Sequence, residues 1–375
     1  MDAVSLTQRL INIQTLNPPG DEQECSRYLT SLLELEGFQV RTHCFGEGRV
    51  NLIAEMSGAE GGEPLGFTGH MDTVPLGNAD WGKSPFGGEI EKGRLYGRGS
   101  SDMKSGIAAF ISACIKNKAV IKEGKGVVLI LTGGEETGCD GAKAMVADIV
   151  DFPEVGALIV GEPTSNYPVI GHKGALWLKA SFKGVTAHSA MPEQGHNAIY
   201  DASEAVFSLK HLSIGESHSL MGSTTLNIGT IQGGININSV PDHCDFHIDI
   251  RTVEGMNHSC VSQKIQQLIG GQGHLETVMD LPPMLSDASH PWINLCYQVC
   301  QVDSSKELKP AIMPYFTDAA ILKPRLNNIP TVLLGPGSPE MAHQTDEYCY
   351  VENIVRAVDI YGELISCWQL NTQES

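Results

Sequence analysis

Positive charge is scarce in this chain: 25 Lys and Arg stand against 44 Asp and Glu, for a formal net charge of −19. Such a surface repels nucleic acid and anionic membrane, so neither is an expected partner. Charged residues of both signs make up only 18%, while apolar residues make up 41% and glycine occurs 41 times. That balance excludes a disordered or fibrous chain and suits a soluble α/β enzyme with many turns. No apolar run approaches the roughly 20 residues that a membrane-spanning helix needs. Residues 1–16 lack the basic-then-apolar pattern of a secretion signal. None of the ten cysteines belongs to a CxxC pair, and Cys296 and Cys300 stand four apart, a helical spacing foreign to zinc ribbons. Scattered cysteines of this kind read as buried, reduced thiols in a cytoplasmic protein.

At 375 residues the chain is long for one core, so two domains are expected. Continuous apolar runs at 127–131 and 158–160 have the look of strands buried on both faces. The spacing predicts helices over 4–13 and 107–115, and a helix ending at Gly37 with Asp21 as its cap. Alternating strands and helices imply a mostly parallel sheet with helices on both sides. From about Gly171 the texture changes to strand–helix–strand–strand–helix–strand, a compact α+β insert. Near Pro282-Pro283 the chain re-enters the first domain. The expected division is residues 1–170 with 283–375, and 171–282.

The stretch Gly69-His70-Met71-Asp72-Thr73-Val74-Pro75 organises the rest. Alternate residues of a strand share a face, so His70 and Asp72 can lie side by side, a carboxylate fixing the tautomer of a metal-binding imidazole. His70, Glu135, Glu136 and Glu162 all fall at the carboxyl end of an inferred strand, where α/β sheets gather ligand-binding residues. With Asp102 and His343 they form a set of two imidazoles and four carboxylates, each flanked by Gly, Pro or small residues. Such a set fits a pair of divalent cations with N/O ligands. Crowded carboxylates would otherwise repel one another and bind protons.

Five segments carry a resemblance. They are the His70 stretch, Gly97-Arg98-Gly99-Ser100-Ser101-Asp102-Met103-Lys104, Glu135-Glu136-Thr137-Gly138, Gly161-Glu162-Pro163-Thr164 and Ala342-His343-Gln344-Thr345-Asp346-Glu347. Together they resemble the co-catalytic zinc deacylases and peptidases, the family of acetylornithine deacetylase, succinyl-diaminopimelate desuccinylase, aminoacylase and glutamate carboxypeptidase. The resemblance implies a zinc-peptidase-like catalytic domain and an inserted ferredoxin-like lid or dimerisation domain. It implies two zinc ions, replaceable by cobalt or manganese. His70 and Glu162 would hold one, Glu136 and His343 the other, and Asp102 would bridge them. A cis peptide would follow Asp102. Asp72 would orient His70, and Glu135 would be the general base that moves a proton from the attacking water to the leaving amine.

The insert adds Thr186-Ala187-His188-Ser189, which resembles the lid motif whose His steadies the tetrahedral oxyanion. Asn238 falls at the family's substrate-binding Asn. Arg251 would grip the substrate α-carboxylate, and the backbone around Gly337 would assist it. The activity implied is removal of an acetyl or succinyl group from an N-acyl amino acid or diamino acid by a cytoplasmic homodimer serving arginine or lysine biosynthesis. Alternatives are a dipeptidase or glutamate carboxypeptidase of the same family, and a non-catalytic binding protein on this fold.

Overall fold

The computed structural model describes residues 2–215, 217–271, 273–301 and 310–370. Two compact units divide the chain. The first comprises residues 1–171, 285–311 and 317–375; the second comprises 172–284 and a short return, 312–316, that no sequence feature announces.

The first unit is built on a mixed sheet with a parallel centre. Strands run in the order Gln39–Gly46, Arg49–Ser57, Gly126–Thr132, Leu65–His70, Ala157–Val160 and Thr331–Leu333. Leu65–His70 runs parallel to both Gly126–Thr132 and Ala157–Val160. Thr331–Leu333 continues that sense beside Ala157–Val160, whereas the first two strands are an antiparallel hairpin at the edge. Every residue of Leu65–His70, Gly126–Thr132 and Ala157–Val160 is buried. This burial explains why these strands read as unbroken apolar runs and not as alternating ones.

The helix Lys104–Lys116 is buried over its first eleven residues. Its Phe110 stacks on Phe67 at 4.1 Å, and Tyr361 of the C-terminal helix Val351–Leu370 meets both rings edge-on. The helix Gln23–Leu35 departs from expectation at its start: Glu22 occupies the cap position, and Asp21 reaches only the Gln23 amide, at 3.3 Å. Glu22 is itself drawn inward to pair with Arg49 at 3.0 Å, and this pulls the first turn one residue on.

The second unit follows the order strand Gly174–Lys183, helix Ala198–Lys210, strands Thr225–Gly233 and His243–Thr252, helix His258–Ile269, strand Gly273–Leu281. Its antiparallel sheet places the first strand between His243–Thr252 and Gly273–Leu281, with Thr225–Gly233 at the edge. That is the split β-α-β arrangement of ferredoxin-like folds. Leu176, Leu178, Ala180 and Phe182 project from one face onto Ala202, Ala205, Ile265 and Ile269 of the helices. The other face is half-exposed, as the period-two pattern requires.

Candidate metal centre

The sheet delivers three of the expected ligands and the candidate base from strand ends. His70 closes the strand Leu65–His70, Glu135 and Glu136 follow Gly126–Thr132 after two glycines, and Glu162 follows Ala157–Val160. Asp102 precedes the helix Lys104–Lys116, and His343 sits in a turn with a left-handed φ of 64°. The peptide Asp102–Met103 is cis, as the resemblance implied. Close backbone approach sets the spacing. A β-carbon on Gly106 would stand 2.2 Å from the carbonyl oxygen of Gly161, so only glycine lets the helix start meet the strand that carries Glu162.

Two trios of donor atoms result, and Asp102 belongs to both. His70, Asp102 and Glu162 each offer an atom within 4.8 Å of the others, and so do Asp102, Glu136 and His343. His70 Nε2 lies 3.0 Å from Asp102 Oδ1 and 3.8 Å from Glu162 Oε1. His343 Nε2 lies 3.0 Å from Glu136 Oε2 and 3.5 Å from Asp102 Oδ2. One carboxylate therefore turns one oxygen to each side.

Electrostatics favour cations here. Burial pushes the carboxyls of Glu135 and Glu162 well above the ordinary range, and mutual repulsion with Glu136 adds to it. Glu136 is raised by burial and by the charge of Asp102. Burial alone would depress His70, but Asp102 and Asp72 overcome it and hold the imidazole well above its usual value. Glu136 raises His343 in the same way. Protons on these groups stand where positive charge is wanted. The donor chemistry, one imidazole nitrogen and two carboxylates per trio, fits divalent first-row ions.

Asp72 departs from the expected arrangement. The strand ends at His70, so the two residues do not share a strand face. The backbone carbonyl of Asp72 accepts His70 Nδ1–H at 2.9 Å, while its carboxylate lies 3.6 Å away. The chain leaves the strand at Met71, and this brings Asp72 backbone to the ring edge. Nε2 is thereby left to face Asp102 and Glu162. The Asp72 carboxylate also accepts the Glu135 and Glu136 backbone amides at 3.2 and 3.3 Å and the Asn17 side-chain amide at 2.8 Å. Burial opposes its ionisation, but His70 and these donors hold its pKa below the ordinary value.

Further supports lie in the quoted stretches, unremarked at the level of sequence. Buried Glu347 accepts the Gly99, Ser101 and Asp102 amides at 3.0, 2.8 and 3.1 Å and pairs with Arg98 at 2.7 Å. Buried Lys104 donates to the carbonyls of Leu10 and Ile13. Asp318, from an unremarked stretch, is buried with its Oδ2 accepting Thr132 Oγ1–H at 2.5 Å. An acid just before a short helix carries no sequence signal of such a role.

The remaining predicted residues fall elsewhere. Gly337 belongs to the first unit, and a β-carbon on it would stand 2.1 Å from the Ser101 carbonyl oxygen, one residue from Asp102. His188, Asn238 and Arg251 belong to the second unit. His188 and Asn238 are neighbours there, since the Ser189 amide donates to the Asn238 carbonyl at 3.0 Å, and both side chains are exposed. Arg251 is paired with Asp249 on the same strand, at 3.0 Å.

A paired acid–imidazole centre at the carboxyl ends of parallel strands defines a metal-dependent hydrolase. The chain belongs to peptidase family M20/M25/M40, whose profile matches residues 66–366. A relative from Staphylococcus epidermidis named probable succinyl-diaminopimelate desuccinylase is 31% identical over 98% of this chain and 98% of its own. An acetylornithine deacetylase from Vibrio parahaemolyticus is 32% identical over 87% of this chain and 86% of its own. An M20 family metallo-carboxypeptidase from Sulfolobus solfataricus superposes with a TM-score of 0.81 at 17% identity, over 99% of this chain and 100% of that one, a likeness of fold. Among the described residues no helix is long and apolar enough to cross a membrane.

Proposed function

We propose that the protein is an amidohydrolase that removes an acetyl or succinyl group from an N-acyl amino acid or diamino acid. The observation that carries this reading is the pair of trios sharing Asp102, beside the buried carboxyl of Glu135. The names of the two sequence relatives point to the substrate class. His70 and Glu162 would hold one divalent ion, and Glu136 and His343 the other, with Asp102 between them; zinc is the proposed metal, with cobalt or manganese as substitutes. Bound ions would supply Lewis acidity, acidifying a water and polarising the scissile carbonyl. Glu135, ionised in the field of the bound ions, would take the proton from the attacking water and return it to the leaving amine. Asp72 keeps Glu135 and Glu136 diverging by fixing their successive amides.

The remaining expected residues would bind substrate. His188 would donate to the developing oxyanion, Asn238 beside it would bind substrate, and Arg251 would exchange Asp249 for the substrate carboxylate. The backbone at Gly337 would meet the same carboxylate. Assembly as a homodimer through the second unit is supported by the unpaired outer edge of strand Thr225–Gly233 and by exposed Tyr200 and Phe207 on the neighbouring helix. A cytoplasmic enzyme of amino-acid biosynthesis is the setting that fits. The test is kcat/KM for acetylornithine, succinyl-diaminopimelate and a dipeptide panel, zinc-loaded and after chelation. Turnover of the acyl amino acids that chelation removes supports the proposal. Turnover of dipeptides alone replaces it with the peptidase reading.

A further inference from the structure

The turn that carries Glu135 and Glu136 is gripped from several sides. Asp72 takes the two amides from one side. Asn51 bridges its flanks, accepting the Gly133 amide at 2.9 Å and donating to the Gly141 carbonyl at 3.0 Å. A third grip is made by Asp318, a residue that the proposed reaction does not use. It immediately precedes the helix Ala319–Arg325, where an Asp side chain ordinarily turns back onto the helix amides. Here it makes no such cap. The Ala319 amide goes instead to the hydroxyl of Thr317, at 3.2 Å.

The freed carboxylate reaches inward. Oδ2 accepts Thr132 Oγ1–H at 2.5 Å, and Thr132 is the last residue of the strand before the turn. Cys139 ends the turn: its amide donates to the Glu135 carbonyl at 3.0 Å, and it holds a left-handed φ of 62° just before the helix Asp140–Asp148. All three side chains are buried. A buried acid is costly to keep and is tolerated where its contacts are specific.

We infer that Asp318 is a positioning residue: its carboxylate, bonded to Thr132, pins the strand end from which the turn presents Glu135 and Glu136. Thr132 also pairs with His70 across the sheet and accepts the Met71 amide at 2.7 Å, so the same anchor registers the turn against the first imidazole. Loss of the anchor lets the turn open locally while the rest of the unit stays folded.

The test uses the zinc-loaded full chain and follows iodoacetamide alkylation of Cys139 by peptide mass spectrometry. Cys114, equally buried in the helix Lys104–Lys116, is the internal control. In Asp318→Ala, Cys139 alkylation is expected to quicken at least about tenfold with Cys114 unchanged. Asp318→Asn, which retains an acceptor for Thr132, recovers most of the protection. Thr132→Val, which leaves the acid in place, exposes Cys139 in the same way and keeps the inference testable if Asp318→Ala does not fold. Alongside, kcat of Asp318→Ala for the best amide of the panel falls at least about tenfold with KM within about threefold. Parent-level protection of Cys139 in Asp318→Ala and Thr132→Val overturns the inference, as does exposure of Cys114 together with Cys139. The kcat arm rests on the amidohydrolase proposal, whereas the thiol arm does not. A parent enzyme inactive on every amide therefore defeats that proposal and leaves the anchor to be judged by Cys139.

Discussion

The two halves of the metal centre are built from similar atoms and differ in access to water. On one side His70, Asp102 and Glu162 are all buried; on the other, the Glu136 side chain is buried too, but the His343 side chain is 53% exposed. Charge in the buried half feels a lower dielectric, so a cation there is both more needed and harder to release. His343, mounted on a turn, gives the second trio its contact with solvent. Asp102 serves both, so neither half can be emptied without altering the other.

That contrast can be broken or sharpened by experiment. The largest effect is expected from the proposed base: Glu135→Gln lowers kcat by about 10²–10⁴-fold while bound metal, read by elemental analysis, stays at the parent level. Retained turnover would move the base to another residue. Next, competition with a chelator should rank the two imidazoles. His70→Ala weakens binding of zinc by more than about 100-fold and His343→Ala by about 10–100-fold, bracketing the loss usual for a group that orients a ligand. Equal losses would erase the difference between the halves. Asp72→Asn, which keeps the shape but loses the charge on Glu135 and Glu136 amides, is expected to cost about 10-fold in kcat.

The smallest effect is on stability against pH. Burial raises Asp318 and Glu347 to about 6, in the latter case against the pull of Arg98. The folded chain thus holds these two protons at pH values where the unfolded chain, with ordinary values of 3.8 and 4.5, has released them. Stability of the chelated protein therefore falls as pH rises from about 4 through 6. Asp318→Asn removes one such contribution. Its Tm should gain on the parent by a few degrees across that window in a thermal melt. A parallel pair of curves would show that Asp318 ionises as freely folded as unfolded.

Much of the centre was legible because the ligands follow apolar runs with glycine behind them. His70, Glu135, Glu136 and Glu162 each sit where a buried strand must surrender its regular hydrogen bonding. The two strands around them, being hidden on both faces, are the plainest features of the chain. What the residues alone could not convey was which atom of a side chain or backbone would reach its neighbour. Asp72 was expected to face His70 through its carboxylate; its carbonyl takes Nδ1–H at 2.9 Å and the carboxylate stands 3.6 Å from the same nitrogen, because the path of the chain after Met71 is a tertiary matter. Arg251 was expected to await a carboxylate; one already stands two residues before it on the same strand, as the alternation of a strand allows. Asp318 and the segment 312–316 were invisible for another reason: neither lies near a periodic run, and their places are decided by distant parts of the chain.

The contact between Gly106 and Gly161 has a consequence for how such a centre can vary. Where the helix meets the strand, bare backbone touches bare backbone, with 2.2 Å left for any added carbon. The gap between Asp102 and Glu162 is thus gauged by main chain alone. Evolution can retune the pocket's outer wall by changing side chains, but this inner wall offers it nothing to exchange.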